Sequence, residues 1–293
     1  MSTSTWLISP AALHARLGSP GLVIFDATVD LPAPRFDGDY RVTSGYVGWL
    51  RGHLPGARHA DLLVDLAAPN AGYSFAMPTV QGFAEHLARL GVGPRSEVVV
   101  YDRADGFWAA RLWWMLHSVG LGAALLDGGY QAWQRAGLAI GTGVASLAPA
   151  SAPPVLRPRA ECWASLEEVH AISLGQAPGR LVCALAQAVF DGSAATRYSR
   201  RGHIPGSLNR PARTLFESDG RYRPTSALAQ VLGPDLLGDG SRLVLYCGGG
   251  ISAAATAFAL TLLGRENVAL YDGSLQQWSA DPALPMTTGA APA

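Results

Sequence analysis

The chain has 293 residues, of which 49% are apolar and only 15% are charged, so it contains enough apolar side chains for two hydrophobic cores. Its 22 basic and 22 acidic side chains balance, which argues against nucleic acid or a membrane surface as a main partner. No apolar run reaches membrane-spanning length, and the first residues lack the basic and apolar regions of a signal peptide. The three cysteines are far apart and without metal-ligand spacing. We therefore expect a cytoplasmic protein with reduced thiols and no bound metal.

The first half of the chain alternates strand and helix patterns. Ser9 followed by Pro10 is typical of a helix start, and the apolar run at 22–25 is typical of a buried strand. The next predicted elements are a helix at 78–90, a strand at 98–101, a helix at 107–119 and a strand at 123–126. The mixed composition of residues 30–49 predicts no element. This alternation predicts an α/β fold with a mostly parallel sheet that helices cover on both faces.

A change of composition to alanine, proline, serine and glycine indicates a linker at 143–160, which divides the chain into domains at 1–142 and 161–293. After the linker, Ser165 and Glu168 have the spacing of a capping box at a helix start. Further strand patterns follow at 181–183 and at 268–271. The second half therefore repeats the strand and helix alternation of the first.

The two halves also share sequence motifs, which indicates an internal duplication. The turn Gly-His-Leu-Pro-Gly at 52–56 recurs as Gly-His-Ile-Pro-Gly at 202–206. Each half has a tyrosine at the end of a strand, Tyr101 and Tyr246, and a tryptophan follows each tyrosine at the same spacing. The alignment predicts two tandem copies of one domain.

Cys247 lies in the strongest local pattern of the chain. Residues 243–246 are typical of a strand buried on both faces, three glycines permit a tight turn, and the alanine-rich residues 253–263 favour a packed helix. A thiol at this position meets free N–H groups and the positive end of the helix dipole, which favour the nucleophilic thiolate. The other interpretation is a buried, inert cysteine. Asp102 stands at the corresponding position of the first copy, so only the second copy would have a nucleophile.

Taken together, these residues resemble a known family. The resemblance rests on the two Gly-His-x-Pro-Gly turns, Asp26-Ala27-Thr28, the stretch 246–252, and Asp272-Gly273-Ser274 with Trp278, which are similar to those of tandem-domain rhodanese-like sulfurtransferases, among them the thiosulfate and 3-mercaptopyruvate sulfurtransferases. It covers nearly the whole chain. It implies two tandem rhodanese-like domains, each a mostly parallel sheet flanked by helices, with a catalytically inactive first domain and an active site in the cleft between the two.

The resemblance also implies a mechanism that uses neither a metal nor an organic cofactor. Cys247 would take a sulfane sulfur from a small-molecule donor, 3-mercaptopyruvate or thiosulfate, and carry it as a persulfide. It would then pass the sulfur to a thiophilic acceptor such as cyanide, a thiol or thioredoxin. Backbone N–H groups of the loop would bind the anionic sulfur. They belong to Gly248, Gly249, Gly250, Ile251 and Ser252.

Two departures from the family's pattern concern the donor. Gly249 stands in place of the serine of the mercaptopyruvate-type loop, and Val189 stands in place of an arginine that binds the donor's anionic group. Arg197 is then the best remaining anion-binding residue, with Arg200 and Arg201 next. The loop also lacks the basic side chain that accompanies a preference for thiosulfate, so it is closer to the mercaptopyruvate type.

His53, in the first Gly-His-x-Pro-Gly turn, has two interpretations. In the family this turn faces the catalytic loop, so His53 could take part in proton handling. Alternatively, its ring forms hydrogen bonds within its own turn, as the ring of His203 would in the duplicate. Cys162 and Cys183 lie in no reactive pattern, and we expect both to be inert.

Three other functions fit the same residues less well. Residues Gly248, Gly250 and Ala253 match a dinucleotide-binding fingerprint, but only 40 residues follow Ala253, too few for the rest of that fold. A cysteine phosphatase would need arginine at the sixth position after Cys247, where Ala253 stands. A low-turnover persulfide carrier or interaction module with the same fold would account for the missing arginine and serine.

Overall fold

The first half of the chain forms a parallel five-stranded sheet with helices around it. The computed structural model describes residues 6–144, 149–150, 152–238 and 240–289. In chain order, the elements of the first half are β1 (Leu7–Ile8), α1 (Pro10–His14), β2 (Leu22–Asp26), β3 (Val29–Asp30), β4 (Thr43–Ser44), α2 (Tyr46–Arg51), β5 (Arg58–His59), α3 (Val80–Arg89), β6 (Glu97–Tyr101), α4 (Phe107–Ser118), β7 (Ala123–Leu126) and α5 (Gly129–Arg135). The strand order in the sheet is β1-β7-β6-β2-β5, and β3 pairs with β4 as a separate antiparallel ribbon.

The second half forms a second parallel five-stranded sheet. Its elements are β8 (Trp163–Ala164), α6 (Leu166–Ser173), β9 (Arg180–Cys183), α7 (Gln187–Phe190), β10 (Leu208–Asn209), α8 (Thr225–Leu232), α9 (Pro234–Leu237), β11 (Leu243–Tyr246), α10 (Ile251–Leu262), β12 (Val268–Tyr271) and α11 (Ser274–Trp278), with short 3-10 turns at 160–162 and 212–215. The strand order is β8-β12-β11-β9-β10, and every pair is parallel.

The two sheets have the same topology. In each sheet, the first strand of the domain (β1 or β8) forms one edge, and the last strand (β7 or β12) lies next to it. The following positions are taken by β6 or β11 and then by β2 or β9, and β5 or β10 forms the other edge. The duplication predicted from the sequence and the fold of two α/β domains are confirmed. Three short elements, β3, β4 and α2, fall largely within residues 30–49, where the sequence predicted no element. Elements of two to six residues are too short to show a periodic pattern, so the sequence could not indicate them.

Local sequence signals account for several helix starts. Ser9 Oγ accepts the N–H of Ala12 at 3.2 Å at the start of α1, and Ser165 Oγ accepts the N–H of Glu168 at 3.2 Å at the start of α6. Each serine satisfies one of the amides that a helix start leaves without an intrahelical partner. The same cap therefore occurs at the first helix of both domains, as the sequence predicted.

The helices α4 and α10 pack against each other and join the two domains. The rings of Trp113 and Phe258 meet edge to face across this contact, with centroids 4.7 Å apart. Nearly all residues of both helices are buried, and the buried apolar side chains of the two domains form one continuous cluster around them. Burial on all sides explains why 253–263 is apolar all round rather than on one face.

The predicted linker runs along the end of α4 where the structure describes it. The N–H groups of Arg157 and Arg159 donate to the carbonyls of Val119 and Ser118, both at 2.7 Å. Residues 145–148 and 151 of the linker lie outside the described residues, and the domain boundaries remain a prediction. Within the described ranges, no helix is both long and apolar enough to cross a membrane.

Candidate active site

Cys247 lies at the carboxyl edge of the second sheet, directly after β11. Its backbone N–H donates to Ser274 Oγ at 3.2 Å, and its carbonyl accepts the N–H of Leu275 at 3.1 Å. The carbonyl of Gly248 accepts the N–H of Gln276 at 2.8 Å. These bonds hold the loop against the start of α11, so backbone contacts set the position of the thiol.

The amides that follow Cys247 have no partner of their own. Gly250, with φ at +76°, stands directly before α10. Across the described residues, no oxygen accepts a hydrogen bond from the N–H groups at 248–252. Such open N–H groups at a helix N-terminus stabilise an anion. The strand and helix predicted on either side of Cys247 are confirmed, while sulfur binding by these amides remains a prediction.

A cavity of ≈ 670 Å³ lies between the two domains, and Cys247 lines it although only 2% of its surface is exposed. Of the predicted loop residues, Gly248, Gly249, Ile251 and Ser252 also line it. The opposite wall comes from the first domain and is mainly apolar and aromatic, with the charged residues Asp30 and Asp105. The thiol therefore faces a space that both domains form.

Arg197 is the one cation among the described residues that line this cavity. Its guanidinium Nη2 donates to the carbonyls of Leu31 at 3.3 Å and Pro32 at 2.7 Å, which holds a second-domain side chain against the first domain. The two other arginines considered from the sequence have different contacts. Arg200 donates to four carbonyls at 278–284, and Arg201 forms an ion pair with Asp37 at 2.9 Å.

His53 lies outside the cavity lining. Its ring stacks on Trp49 with centroids 4.6 Å apart, and its Nδ1 is 2.9 Å from the carbonyl of the same residue. His203 repeats the arrangement in the second domain, stacked on Phe190 at 3.6 Å with its Nδ1 2.9 Å from that carbonyl. The matched contacts favour a role in the turn, and we leave His53 out of the proposed site.

Cys162 and Cys183 are both buried. Burial raises the pKa of Cys162 to about 11 and that of Cys183 to about 12, so both remain protonated thiols at neutral pH. Cys183 packs in the cluster that contains Tyr246 and Trp278, whereas Cys247 belongs to the cluster on the other side of the sheet. These two thiols therefore lack the thiolate character that a nucleophile requires.

Tyr198 is a cavity residue for which the sequence contained no signal. It is half-buried, it follows Arg197 in a segment without regular structure, and its ring lies against the backbone of Gly248. Proximity to Cys247 results from the way the loop 191–207 folds back over the sheet edge. No periodicity or motif predicts such a contact.

Asp102 shows how the corresponding loop of the first domain binds a carboxyl group. Its buried carboxylate accepts the N–H groups of Ala104 at 2.9 Å, Gly106 at 3.0 Å and Ala109 at 2.9 Å. Gly106 precedes α4 with φ at +81°, as Gly250 precedes α10. Burial raises the pKa of Asp102, and the three amide hydrogen bonds act in the opposite direction. The duplicated loop therefore directs backbone amides at a carboxyl group at the position that Cys247 occupies in the second domain.

Arg111 of the first domain supports the loop from behind. It is fully buried, and its Nη2 donates to Asp272 Oδ1 and to the carbonyl of Phe75, both at 2.6 Å. The other oxygen of Asp272 accepts the N–H of Met77 at 2.8 Å. A Cβ on Gly250 would lie 3.0 Å from Arg111 Nη1. Residues of both domains therefore hold the loop, and the sequence did not identify this arginine.

Within the described ranges, no group of three or more His, Cys, Asp or Glu side chains is arranged to hold a metal ion. The chemistry that the geometry offers is that of a single thiol beside open backbone amides, one arginine and several hydroxyl groups. Such a site suits nucleophilic attack by sulfur and stabilisation of an anionic adduct.

Comparison with known proteins gives one consistent result. The sequence model of the rhodanese-like domain matches residues 9–136 and 179–281. The chain is 36% identical over 293 residues to a probable 3-mercaptopyruvate sulfurtransferase of Pseudomonas aeruginosa, covering 98% of this chain and 99% of that protein. It is 30% identical over 299 residues to the 3-mercaptopyruvate sulfurtransferase of Escherichia coli K12, with coverage of 98% and 99%.

Solved structures agree at the level of the fold. The crystal structure of SseA, the 3-mercaptopyruvate sulfurtransferase from Escherichia coli, superposes with a TM-score of 0.77 and 28% identity, covering 92% of this chain and 98% of that one. The Tum1 protein from Saccharomyces cerevisiae superposes with a TM-score of 0.81 over 97% of this chain and 98% of that one. Because identity to Tum1 is only 23%, that likeness shows the fold alone.

Proposed function

Because the chain belongs to the rhodanese-like family and is a sulfurtransferase, we propose that it moves a sulfane sulfur through a persulfide on Cys247. The observation that carries this proposal is the position of the thiol. Cys247 lines the interdomain cavity at the start of a loop whose amides at 248–252 have no other partner among the described residues. The loop around Asp102 supports it, since its amides donate hydrogen bonds to carboxyl oxygens at the corresponding position.

The first half-reaction forms the persulfide. The thiolate of Cys247 attacks the sulfur of 3-mercaptopyruvate, the carbon–sulfur bond breaks, and its electron pair remains on carbon, which takes up a proton to give pyruvate. With thiosulfate the sulfur–sulfur bond breaks instead, and sulfite leaves with the pair. In both cases a new sulfur–sulfur bond forms on the cysteine. The open amides stabilise the resulting persulfide anion without any reorganisation of the loop.

The second half-reaction returns the enzyme to its starting state. Cyanide or a thiolate attacks the outer sulfur, the persulfide bond breaks, and the cysteine leaves as a thiolate, giving thiocyanate or a new persulfide on the acceptor. A thioredoxin dithiol would release the sulfur as sulfide and become a disulfide. The acceptor and a cytoplasmic location remain predictions from the sequence.

Charge favours 3-mercaptopyruvate over thiosulfate as the donor. Arg197 is the one cation that lines the described cavity, whereas Asp30 and Asp105 line it as well. A single guanidinium can pair with one carboxylate, but a dianion beside two acidic side chains would need more positive charge. The apolar wall suits the carbon chain of a keto acid. The relatives named 3-mercaptopyruvate sulfurtransferases point to the same donor.

Intact mass spectrometry tests the proposal directly. After incubation with 3-mercaptopyruvate, we expect the wild-type chain to gain one sulfur atom, which cyanide then removes as thiocyanate, and to gain less with thiosulfate. Cys247→Ser should neither gain sulfur nor turn over, with an unchanged unfolding transition. Cys162→Ser is the matched control and should react as the wild type does. Sulfur gain in Cys247→Ser would refute the assignment.

A persulfide carrier with slow turnover is the second candidate function. Two observations favour it: Val189 replaces an anion-binding arginine, and Gly249 replaces a serine. Steady-state kinetics separate the two functions, because an enzyme shows saturable, repeated transfer to cyanide. A carrier would load Cys247 once and release the sulfur stoichiometrically.

A further inference from the structure

The ring of Tyr198 lies directly over the second residue of the active loop. A Cβ placed on Gly248 would overlap the hydroxyl oxygen and Cζ of Tyr198 and would lie 2.7 Å from its Cε2. Gly248 has no positive φ, so the loop needs glycine there for space rather than for conformation. The phenol can lie this close to the loop because residue 248 has no side chain.

The hydroxyl of Tyr198 lies beside the loop that carries Cys247, and in the resting site it is not hydrogen-bonded to that thiol. Burial raises its pKa, and negative charge on Cys247 raises it further, so the phenol stays protonated next to an anionic sulfur. The residue lines the same cavity as Cys247. Among the contacts of the described residues, no hydrogen bond engages this hydroxyl, which leaves it available for a reacting group.

The three residues that follow Cys247 are glycines and provide no side-chain donor. We propose that Tyr198 is a further catalytic residue, whose hydroxyl moves to donate a hydrogen bond to the sulfur of Cys247 once that sulfur carries a negative charge. This inference rests on the proposed function. When the acceptor attacks the outer sulfur, the electron pair of the broken bond goes to the cysteine sulfur, and the phenol stabilises that thiolate while keeping its own proton.

The test is Tyr198→Phe, which removes one oxygen and keeps the ring over Gly248. Because a hydrogen bond to a charged group is lost, we expect kcat for transfer to cyanide to fall about 10- to 100-fold, with the donor KM changed less than about threefold. The pH profile of Cys247 alkylation by iodoacetamide should move to higher pH, since the thiolate loses a donor. Tyr73→Phe, at a half-buried tyrosine outside the cavity lining, should change neither.

A pair of glycine variants gives a second measurement that does not depend on Tyr198→Phe folding well. Gly248→Ala must displace the phenol, whereas a Cβ on Gly122, an exposed glycine outside the cavity lining, would meet nothing within 4 Å. We expect Gly248→Ala to shift the alkylation profile as Tyr198→Phe does, and Gly122→Ala to leave it in place.

The outcomes separate this inference from the proposed function. Wild-type kcat and an unshifted profile in Tyr198→Phe, with sulfur still loaded on Cys247, would overturn the role of Tyr198 alone. Failure of the wild-type chain to load sulfur from either donor would overturn the proposed function instead.

Discussion

At the scale of single residues, two of the three glycines of the active loop are required, each for a different reason. Gly248 leaves space for Tyr198, and Gly250 has φ at +76° in a region that residues with a Cβ rarely adopt. Gly249 has neither constraint, because its φ is not positive and a Cβ there would be at least 3.5 Å from its neighbours. Of these three consecutive glycines, the loop therefore requires one for space and one for conformation.

Gly250→Ala should consequently destabilise the fold. The left-handed conformation costs about 1–2 kcal/mol for a residue with a Cβ, and the new methyl group would lie 3.0 Å from Arg111 Nη1 and 3.3 Å from the carbonyl of Asp272. We expect the free energy of unfolding in urea to fall by about 1–2 kcal/mol or slightly more. Gly249→Ala is the control and should stay within about 0.5 kcal/mol. Equal losses in the two variants would contradict this assignment.

At the scale of elements, the packing around the central helix α4 lowers the pKa of His117 and keeps its ring neutral at pH 7. The ring of His117 stacks on Trp113 with centroids 4.8 Å apart, and Arg159 Nη1 lies 3.4 Å from its Nε2. Burial, followed by the charge of Arg159, lowers the pKa of His117 to about 4, although Glu161 acts in the opposite direction. In the unfolded chain the same ring titrates near pH 6.5.

This difference predicts how stability depends on pH. Between pH 6.5 and 4 the unfolded state binds a proton that the folded state does not, so the free energy of unfolding falls as the pH is lowered through this window and is unaffected above it. His117→Phe keeps an aromatic ring on Trp113 and removes the proton site. Relative to the wild type, the variant should gain roughly 1–3 kcal/mol on going from pH 6.5 to 4. Chemical denaturation across this range measures it, and parallel profiles would contradict the argument.

At the scale of the whole molecule, ion pairs connect the two domains at very different depths. Arg111 and Asp272 are joined at 2.6 Å, with side chains 0% and 14% exposed. Arg213 and Asp105 are joined at 2.7 Å, but their side chains are 66% and 53% exposed. A buried pair is costly to break because the remaining charge stays out of water, whereas an exposed pair contributes little.

Arg111→Met and Arg213→Met form a matched comparison of these pairs. We expect Arg111→Met to lower the free energy of unfolding by about 3–5 kcal/mol, because it leaves a carboxylate and the Phe75 carbonyl without their donor. Arg213→Met should cost at most about 1 kcal/mol. Urea unfolding of both variants decides the point, and similar costs would show that the depth of the pair is irrelevant.

Much of this architecture can be read from the chain alone. The repeated turns, the strand patterns and the capping serines are local features, so they are enough to predict two α/β domains in tandem and a cysteine between a strand and a helix. It also indicated that the first domain carries Asp102 where the second carries Cys247. Turn chemistry and periodicity act between near neighbours in the chain, so both can be recognised in the amino-acid sequence.

The residues that meet at the cysteine from distant parts of the chain could be identified only from the folded protein. Tyr198, 49 positions before Cys247, and Arg111, from the other domain, carry no pattern that connects them to the loop. For His53, the sequence already favoured a ring that stabilises its own turn, and the ring is stacked there. The contacts of Tyr198 and Arg111 depend on how α4 packs on α10 and how one loop folds over a sheet edge. That packing is a property of the whole assembled core, so no short stretch of sequence encodes it.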